Sequence, residues 1–295
     1  KKWLIQCVAL ALNDEENPVG ADGVLVLQGE QGLAKTSFFR ILSPYPRWFV
    51  EGAVIDVSNK DTLLKALSSW ITELGELDST LKREQSALKA FITTPEDRIR
   101  PPYARNAART PRRTSFCGTV NPKDYLRDET GSRRFWTIPI EKIDKEKLFS
   151  LPREWIHQLW FQVYKLYLQD KEGFRLTDEE MKQLQADNRE FDIPLPFEEE
   201  ILGIFNLSLP INEWEWWRAC DVAKIVPGYP SARQVGKVLA KFCGDVSGGK
   251  GGVEQNNVIH QTHHIDKNFT RISRGTKEYL IPVLHFNTKM VDVVG

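Results

Sequence analysis

Residues 23–42 read GVLVLQGEQGLAKTSFFRIL, and this stretch decides the fold predicted for the first part of the chain. It begins with the apolar run 24–27, which is typical of a buried strand. A loop with two glycines follows, and apolar residues then recur with the spacing of a helix. A strand, a glycine-rich loop and a helix in this order predict an α/β fold with a phosphate-binding loop where the strand ends.

The loop and the first turn of the helix carry the residue types that hold a nucleoside triphosphate. Glycines allow backbone N–H groups to turn inward around a phosphate, and the helix N-terminus adds a partial positive charge. The ammonium group of Lys35 would reach the β- and γ-phosphates, and the hydroxyl of Thr36 would be a ligand of Mg²⁺. The sequence therefore predicts ATP and Mg²⁺ as cofactors, with ATP bound by Gly29, Gln31, Gly32, Ala34, Lys35, Thr36 and Ser37.

Ala34 stands just before the lysine, where the usual pattern has glycine. An alanine fits the loop there if its φ angle is negative, because a β-carbon disfavours the left-handed region. We therefore expect a negative φ angle at Ala34. The alternative for the whole stretch is a glycine-rich turn that binds no ligand.

Acidic residues follow the next strand-like segment, which reads WITELGELD at residues 70–78. Downstream of such a loop, one carboxylate holds the ligand shell of Mg²⁺ and a second one polarises the attacking water. Glu73 is the first choice for a catalytic carboxylate that also holds Mg²⁺, and Glu76 is the second choice. The alternative is a solvated acidic turn.

Two polar features further along the chain are candidates for the same site. Asn121 ends the strand predicted from residue 114, where it could orient the attacking water or touch the γ-phosphate; a turn-capping asparagine is the alternative. Arg133 and Arg134 follow a glycine turn and could supply an arginine finger, which acts on the ATP of an adjacent subunit. For these two arginines the alternative is a salt-bridged surface pair.

A basic segment without acidic residues spans residues 98–113 and reads RIRPPYARNAARTPRR. Its charged and aromatic members are Arg98, Arg100, Tyr103, Arg105, Arg109, Arg112 and Arg113. Closely spaced arginines beside an aromatic side chain suit phosphate contact and base stacking in DNA. The alternatives are arginines that pair with nearby acids, or that reach the phosphates bound by a neighbouring subunit.

Four motifs, in their order and spacing, resemble the virulence-associated protein E family. They are GEQGLAKTSF, ITELGELD, LKAFITTPEDRIRPPYAR and FCGTVNPKDYLRDETGSRRFWTIPI, and the resemblance covers about residues 1–145. Members of this family are carried by phages and mobile elements, and they are related to superfamily 3 helicases and poxvirus-type primase-helicases. Many relatives carry a primase domain upstream, and no part of this chain resembles one.

The resemblance implies an AAA+-like ATPase that assembles as a ring, usually a hexamer, and moves along single-stranded DNA. The family's motifs fall on residues already named: Walker A on Lys35 and Thr36, Walker B on Glu73 and Glu76, sensor 1 on Asn121, and the finger in trans on Arg133 or Arg134. The segment from residue 89 to residue 113 would contain the hairpin that tracks DNA, with Lys89, Arg98, Arg100, Tyr103 and Arg105 as expected contacts.

The rest of the chain predicts further helices and then a separate domain. Residues 151–170 and 177–191 have amphipathic patterns, which we expect to form a helical lid or collar beside the ATPase core. The sequence PLP at residues 194–196 marks a linker. The expected domains are therefore the core at 1–150, the helical segment at 151–193 and a last domain at 194–295.

The last domain resembles a winged helix, with helices predicted at 197–206, 216–225 and 231–242 and strands at 257–264 and 269–284. The third helix would lie in a DNA major groove, where its basic residues would face phosphates or bases. These residues are Arg233, Lys237 and Lys241. A winged helix that contacts protein is the alternative.

Lysine plus arginine and aspartate plus glutamate each number 40, so the net charge is zero and any DNA binding must come from a local patch. Scattered cysteines and the absence of an apolar run near the ~20 residues of a membrane span predict a cytoplasmic location. Together the motifs predict a ring-forming DNA helicase or translocase driven by ATP. The alternative is a nucleotide switch that recognises an origin or a partner protein without unwinding DNA.

Overall fold

A computed structural model describes residues 1–75, 77, 87–99, 108–123, 125–126, 132–243, 270–273 and 275–283 of the chain. The chain divides into two compact units, Lys1–Ile193 and Pro194–Gly295. Among the helices in the described part of the chain, none is both long enough and apolar enough to cross a membrane.

The first unit is built on a five-stranded parallel sheet. The described strands of the first unit are β1 (Val24–Gln28), β2 (Phe49–Ala53), β3 (Ile71–Leu74), β4 (Glu96–Ile99), β5 (Ala108–Pro111), β6 (Ser115–Val120) and β7 (Phe135–Pro139). Of these, β4 and β5 form a separate antiparallel pair. The sheet has the order β2-β3-β6-β1-β7, and every neighbouring pair in it is parallel. Because β1 lies inside the sheet, between β6 and β7, the loop that follows β1 has a strand end on each side.

The helices of the first unit are α1 (Lys2–Ala11), α2 (Lys35–Leu42), α3 (Lys60–Ala66), α4 (87–93), α5 (Lys145–Phe149), α6 (Arg153–Gln169) and α7 (Asp178–Asn188). Short 3₁₀ helices lie at Pro46–Trp48 and Arg189–Phe191. The cap of α7 is a capping box, in which Thr177 and Glu180 exchange hydrogen bonds between side chain and backbone. This box fixes the start of the helix where the sequence predicts it.

Helices cover both faces of the sheet, so the first unit has three layers. Val24 and Val26 of β1 belong to the apolar cluster on one face, whereas Leu25 and Leu27 pack on the other, as alternation along a strand requires. The first cluster includes residues of α3 and α4, and the second includes residues of α1, α2 and α6. The prediction of an α/β core with a mainly parallel sheet between helices is confirmed.

The helical segment after residue 150 packs against this second face. Ile156, Trp160 and Val163 of α6 are buried in the same cluster as Trp3 of α1. The indole nitrogen of Trp160 also donates a hydrogen bond to the carbonyl oxygen of Leu42, at 2.7 Å. The segment therefore contributes to the core of the first unit.

Within its described residues, the second unit combines three α-helices with a small antiparallel sheet. Its elements are α8 (Glu198–Gly203), a 3₁₀ helix (Ile211–Glu213), β8 (Glu215–Arg218), α9 (Ala219–Ile225), α10 (Ala232–Cys243), β9 (Thr270–Ser273) and β10 (Thr276–Ile281). The sheet has the order β8-β10-β9. Val235, Val238 and Leu239 of α10 are buried in the core of this unit.

Two predicted elements of the second unit are wrong in part. The predicted helix 216–225 begins only at Ala219, because Trp216 and Trp217 lie in β8 and pair with Leu280 and Tyr279 of β10. Aromatic residues favour strands when such cross-strand partners exist. The predicted strand 269–284 is a hairpin that turns at Gly275, where φ is +76°. The predicted strand 257–264 lies outside the described residues.

Candidate active site

The glycine-rich loop lies at the edge of the sheet where the parallel strands end. Gly29 begins the loop, and its N–H donates to the carbonyl oxygen of Val120, which ends β6, at 3.2 Å. A β-carbon on Gly29 would come within 2.3 Å of the carbonyl oxygen of Ile140, just after β7. Only glycine therefore fits between the two neighbouring strand ends. In open α/β sheets this carboxyl edge is where ligands bind.

The loop contains two residues in the left-handed region. Gly32 has φ +85°, and Ala34 has φ +66° and ψ +29°. The expectation of a negative φ at Ala34 is therefore wrong: the chain must turn left-handed just before α2, which explains why glycine is usual there. A left-handed alanine costs about 1–2 kcal/mol. Backbone N–H groups in such turns form concave sites for anions.

Lys35 is folded inward over the loop. Its ammonium nitrogen donates to the carbonyl oxygens of Gly29 and Glu30, both at 2.7 Å, and to Oδ1 of Asn121 at 3.0 Å. Burial lowers the pKa of Lys35 from its ordinary value, because desolvation penalises the charged form. The structure thus brings together the predicted Lys35 and the predicted Asn121.

Glu73 lies at the same edge, in β3, and only 3% of its surface is exposed. Its Oε1 atom accepts a hydrogen bond from the hydroxyl of Thr36 at 2.7 Å and another from the hydroxyl of Thr119 at 2.8 Å. Of the two predicted carboxylates, Glu73 therefore lies beside the loop, and Glu76 is outside the described residues. Among the described residues, no group of three or more His, Cys, Asp or Glu side chains could hold a metal ion.

Thr119 is the site residue that the sequence analysis missed. It lies inside β6, two positions before Asn121, and side chains two apart on a strand face the same side. Since Asn121 was already a candidate, this spacing was the available signal. In the strand register, Glu73 of β3 lies beside Cys117 of β6, and Thr119 follows two positions later on the same face of β6. Thr119 itself lies beside Leu27 of β1.

The donor set fits a nucleotide with Mg²⁺. A lysine ammonium and left-handed loop residues suit phosphate oxygens, and the Thr36 hydroxyl and Glu73 carboxylate are hard oxygen ligands. Mg²⁺ is usually held by one or two protein carboxylates together with water and substrate phosphates, so a site with few acidic residues suits it. Gln31 and Ser37 belong to the same loop and to the first turn of α2.

Arg133 and Arg134 lie at the opposite end of the strands, where β1 and β7 begin. They precede β7, whose first residue Phe135 is level with Val24 at the start of β1. The length of a five-residue strand, roughly 17 Å, separates them from the loop of the same chain. They line a cleft of about 390 Å³ together with Arg175, and neither forms an ion pair with a described residue.

Four arginines of the basic segment are described: Arg98 and Arg113 are exposed, Arg109 is exposed and ion-paired, and Arg112 is buried. Arg98 is exposed on β4, opposite Arg109 on β5. Arg109 forms an ion pair with Glu96, which raises the pKa of that arginine. Lys89 lies on α4. The predicted contacts Arg100, Tyr103 and Arg105 lie outside the described residues.

Arg112 does not have the exposed position expected of a DNA contact. Its guanidinium is fully buried and donates two hydrogen bonds to the carboxylate of Asp97, at 2.5 and 2.6 Å. It also donates to the carbonyl oxygen of Phe91 at 3.1 Å and lies over the ring of that residue, 4.4 Å from its centroid. Arg112 therefore joins the two strands of the β4–β5 hairpin and anchors them to α4.

In the second unit, two of the predicted basic residues are exposed and the third is hydrogen-bonded to another helix. Arg233 and Lys237 lie on the exposed side of α10, one helical turn apart. Lys241 instead donates to both carboxylate oxygens of Glu198 in α8, at 2.7 and 3.0 Å. Lys241 thus helps to hold α10 against α8 rather than facing outward.

These features define the first unit as a parallel α/β domain with a glycine-rich strand–loop–helix and a buried carboxylate at the carboxyl edge of its sheet. The chain belongs to the virulence-associated protein E-like domain family, whose model matches residues 1–193. The predicted family is thereby confirmed.

Among solved structures, the chain is similar to the apo structure of the NrS-1 C-terminal region, with 13% identity, a TM-score of 0.40, and coverage of 96% of this chain and 71% of that one. An A-form apo structure of the same region gives 13% identity and a TM-score of 0.42 over the same shares of the two chains. No curated protein matches this chain.

Proposed function

We propose that the chain is an Mg²⁺-dependent ATPase and that it drives a DNA helicase or translocase in the replication of a phage or mobile element. The observation that carries the proposal is the hydrogen-bonded group at the sheet edge. There Lys35 contacts Asn121, and Thr36 contacts Glu73. Membership of the virulence-associated protein E-like family supports the replication context.

Each residue has a task that follows from its position. With ATP bound, the ammonium of Lys35 would exchange the carbonyls of Gly29 and Glu30 for phosphate oxygens, and the hydroxyl of Thr36 would be a ligand of Mg²⁺. When bound, Mg²⁺ neutralises charge that develops on the phosphates. Glu73 polarises the attacking water, and Asn121 orients that water or contacts the γ-phosphate.

We further propose that ATP hydrolysis needs a neighbouring copy of the chain, as in a hexameric ring. The distance of Arg133 and Arg134 from the loop of their own chain supports this proposal, because a finger from either residue acts only on the ATP of another subunit. A cytoplasmic ring of this kind, acting in a bacterial host, is the assembly that the family resemblance implies.

DNA contact is proposed at two places. One is the β4–β5 hairpin, where Arg98 is exposed and the sequence continues with Arg100 and Arg105. The other is the second unit, which we propose to be a winged helix, since α9, α10 and the β9–β10 hairpin succeed one another as that fold requires. Arg233 and Lys237 would then face phosphates or bases.

One observation favours a second candidate function. Because neither arginine reaches the loop of its own chain, a single chain is equipped to bind a nucleotide but not to complete the hydrolytic site. A nucleotide switch that binds DNA or a partner protein without unwinding fits this arrangement. A strand-displacement assay on a forked substrate separates the two functions, because unwinding that depends on both ATP and Arg98 contradicts the switch.

The proposed ATPase activity is tested by Lys35→Ala. We expect DNA-stimulated ATP turnover of the unaltered chain and a loss of about 100-fold or more in the variant, because the lysine stabilises charge on the transferred phosphoryl group. Lys65→Ala, at an exposed position on α3, is the matched control and keeps full turnover. Normal turnover after Lys35→Ala would show that the site is wrongly assigned.

A further inference from the structure

Two threonine hydroxyls share one oxygen of the buried carboxylate in the candidate site. Oε1 of Glu73 accepts from Thr36 at 2.7 Å and from Thr119 at 2.8 Å, and the two hydroxyl oxygens are 3.5 Å apart. The other carboxylate oxygen, Oε2, receives no hydrogen bond from any described residue. One oxygen of Glu73 is thus doubly held, and the other is left for a ligand or water.

The two donors differ in how firmly they are attached. Thr36 is the second residue of α2, directly beside the loop, so its position depends on the conformation of the loop. Thr119 lies inside β6, which pairs with β1 on one side and with β3 on the other. Its backbone is therefore fixed by two strands, and one of them carries Glu73 itself.

This difference between Thr36 and Thr119 matters once a nucleotide and Mg²⁺ are bound. If Thr36 were a ligand of Mg²⁺, as the proposed function requires, its oxygen would be shared between the ion and Glu73, so its hydrogen bond to Oε1 would depend on where the ion lies. A buried carboxylate without hydrogen bonds is costly, and it is free to rotate away from the position it needs. Thr119 is then the donor that stays in place.

We propose that Thr119 is a positioning residue for Glu73. Its hydroxyl holds Oε1 whether or not Thr36 also binds Mg²⁺, and so it keeps Oε2 directed at the attacking water. This inference rests on the proposed ATPase function and adds to it a residue to which the sequence analysis gave no role.

The kinetic test compares two substitutions at residue 119. Thr119→Val keeps the shape and removes the hydroxyl, whereas Thr119→Ser keeps the hydroxyl. We expect Thr119→Val to lower kcat by about 10–100-fold, as loss of a hydrogen bond to a charged group predicts, and to change the KM for ATP by less than about twofold. Thr119→Ser should stay within about threefold of the unaltered kcat.

Thr72→Val is the matched control. Thr72 lies next to Glu73 in β3, is fully buried, and donates its hydroxyl to the carbonyl oxygen of Ala66 at 2.8 Å. Its substitution removes one buried hydrogen bond from the same sheet without touching Glu73, so kcat should be unchanged. A loss of kcat in Thr72→Val equal to that in Thr119→Val would reduce the effect to sheet stability and overturn the inference.

A second readout needs no nucleotide. In the nucleotide-free protein, Thr36→Val or Thr119→Val leaves Glu73 one donor, and the double variant leaves it none. We expect the double variant to lower Tm by more than the sum of the two single shifts, whereas Thr36→Val combined with Thr72→Val should be additive. If the shifts in Tm are strictly additive for Thr36→Val with Thr119→Val as well as for Thr36→Val with Thr72→Val, the shared contact with Glu73 is overturned.

The outcomes also separate this inference from the function on which it rests. An active chain in which Thr119→Val turns over normally, or in which Thr119→Ser is as impaired as Thr119→Val, overturns the role of Thr119 alone. An unaltered chain that binds no ATP overturns the proposed function, and the catalytic role of Thr119 fails with it.

Discussion

At the scale of single residues, Ala34 has a left-handed backbone conformation within the candidate site. Its φ of +66° is required by the turn from the loop into α2, and a β-carbon makes that conformation costly. Glycine adopts it freely but loses more backbone entropy on folding. The strain and the entropy difference partly offset each other, and strain is the larger of the two.

Ala34→Gly should therefore stabilise the protein. We expect the free energy of unfolding to rise by about 0.5–1 kcal/mol in chemical denaturation. Ala186→Gly is the control, because Ala186 lies within helix α7 and glycine there should cost about 1 kcal/mol. If both substitutions destabilise alike, the left-handed conformation at Ala34 is not the source of strain.

Single residues also show what sequence patterns can locate. Lys35, Thr36, Glu73 and Asn121 each stand at a recognisable point, such as a loop end or a strand end, and the structure brings their side chains together. Thr119 has no such local mark, since a threonine inside an apolar strand reads as a strand residue. Its contact with Glu73 follows from its spacing to Asn121 taken together with the register between neighbouring strands.

At the scale of elements, the β4–β5 hairpin depends on a buried ion pair. Arg112 and Asp97 are joined by two hydrogen bonds, and both side chains lie at the base of the hairpin. The basic character of this segment predicted DNA contact for all its arginines. Composition alone could not distinguish the buried Arg112 from the exposed Arg98 and Arg113, because the distinction depends on which residues pack beneath the hairpin.

Arg112→Ala should be strongly destabilising. Removing one partner leaves the carboxylate of Asp97 half-buried and unpaired, for which we expect a loss of about 3–5 kcal/mol in the free energy of unfolding. Arg113→Ala, at the exposed neighbouring position, should stay within about 0.5 kcal/mol of the unaltered protein. Equal stability of the two variants would contradict a structural role for Arg112.

Arg98→Ala should have the opposite profile. We expect no change in Tm but weaker binding of single-stranded DNA, with a salt slope reduced by about one because one phosphate contact is lost. Fluorescence anisotropy with a labelled oligonucleotide across several salt concentrations measures both quantities. Arg47→Ala, at another exposed arginine, is the control, and an equal effect there would argue against specific contact by the hairpin.

The element β8 shows the limit of sequence periodicity. Trp216 and Trp217 precede a helical pattern, and from the sequence alone they extend it. In the fold they pair with Leu280 and Tyr279, more than 60 residues later, so the helix begins only at Ala219. By contrast, β1 and α2 were predictable because apolar runs and glycines mark them locally.

At the scale of the whole molecule, the decisive feature is the separation between the loop and the paired arginines. The loop follows the carboxyl end of β1, whereas the arginines precede the amino end of β7. Because β7 runs parallel to β1, the two sites lie at opposite ends of the strands. One chain therefore carries half of each of two proposed catalytic sites. This arrangement predicts that defects in the two halves complement each other.

We expect Lys35→Ala and the double variant Arg133→Ala/Arg134→Ala to be inactive separately and to recover turnover when mixed. In a randomly mixed ring, about one neighbouring pair in four combines an intact loop with an intact finger, so roughly a quarter of the unaltered rate should return. ATP hydrolysis at equal total protein measures it. No recovery from any mixing ratio, although both variants still assemble, would contradict a finger in trans.

The central claim is that the loop around Lys35 closes over a nucleotide and Mg²⁺, and isothermal titration calorimetry tests it most directly. Titration of a non-hydrolysable ATP analogue with Mg²⁺ should give saturable binding near one nucleotide per chain, and Lys35→Ala should abolish the heat of binding. The absence of any binding heat from the unaltered protein at millimolar concentrations of nucleotide and Mg²⁺ would contradict the account.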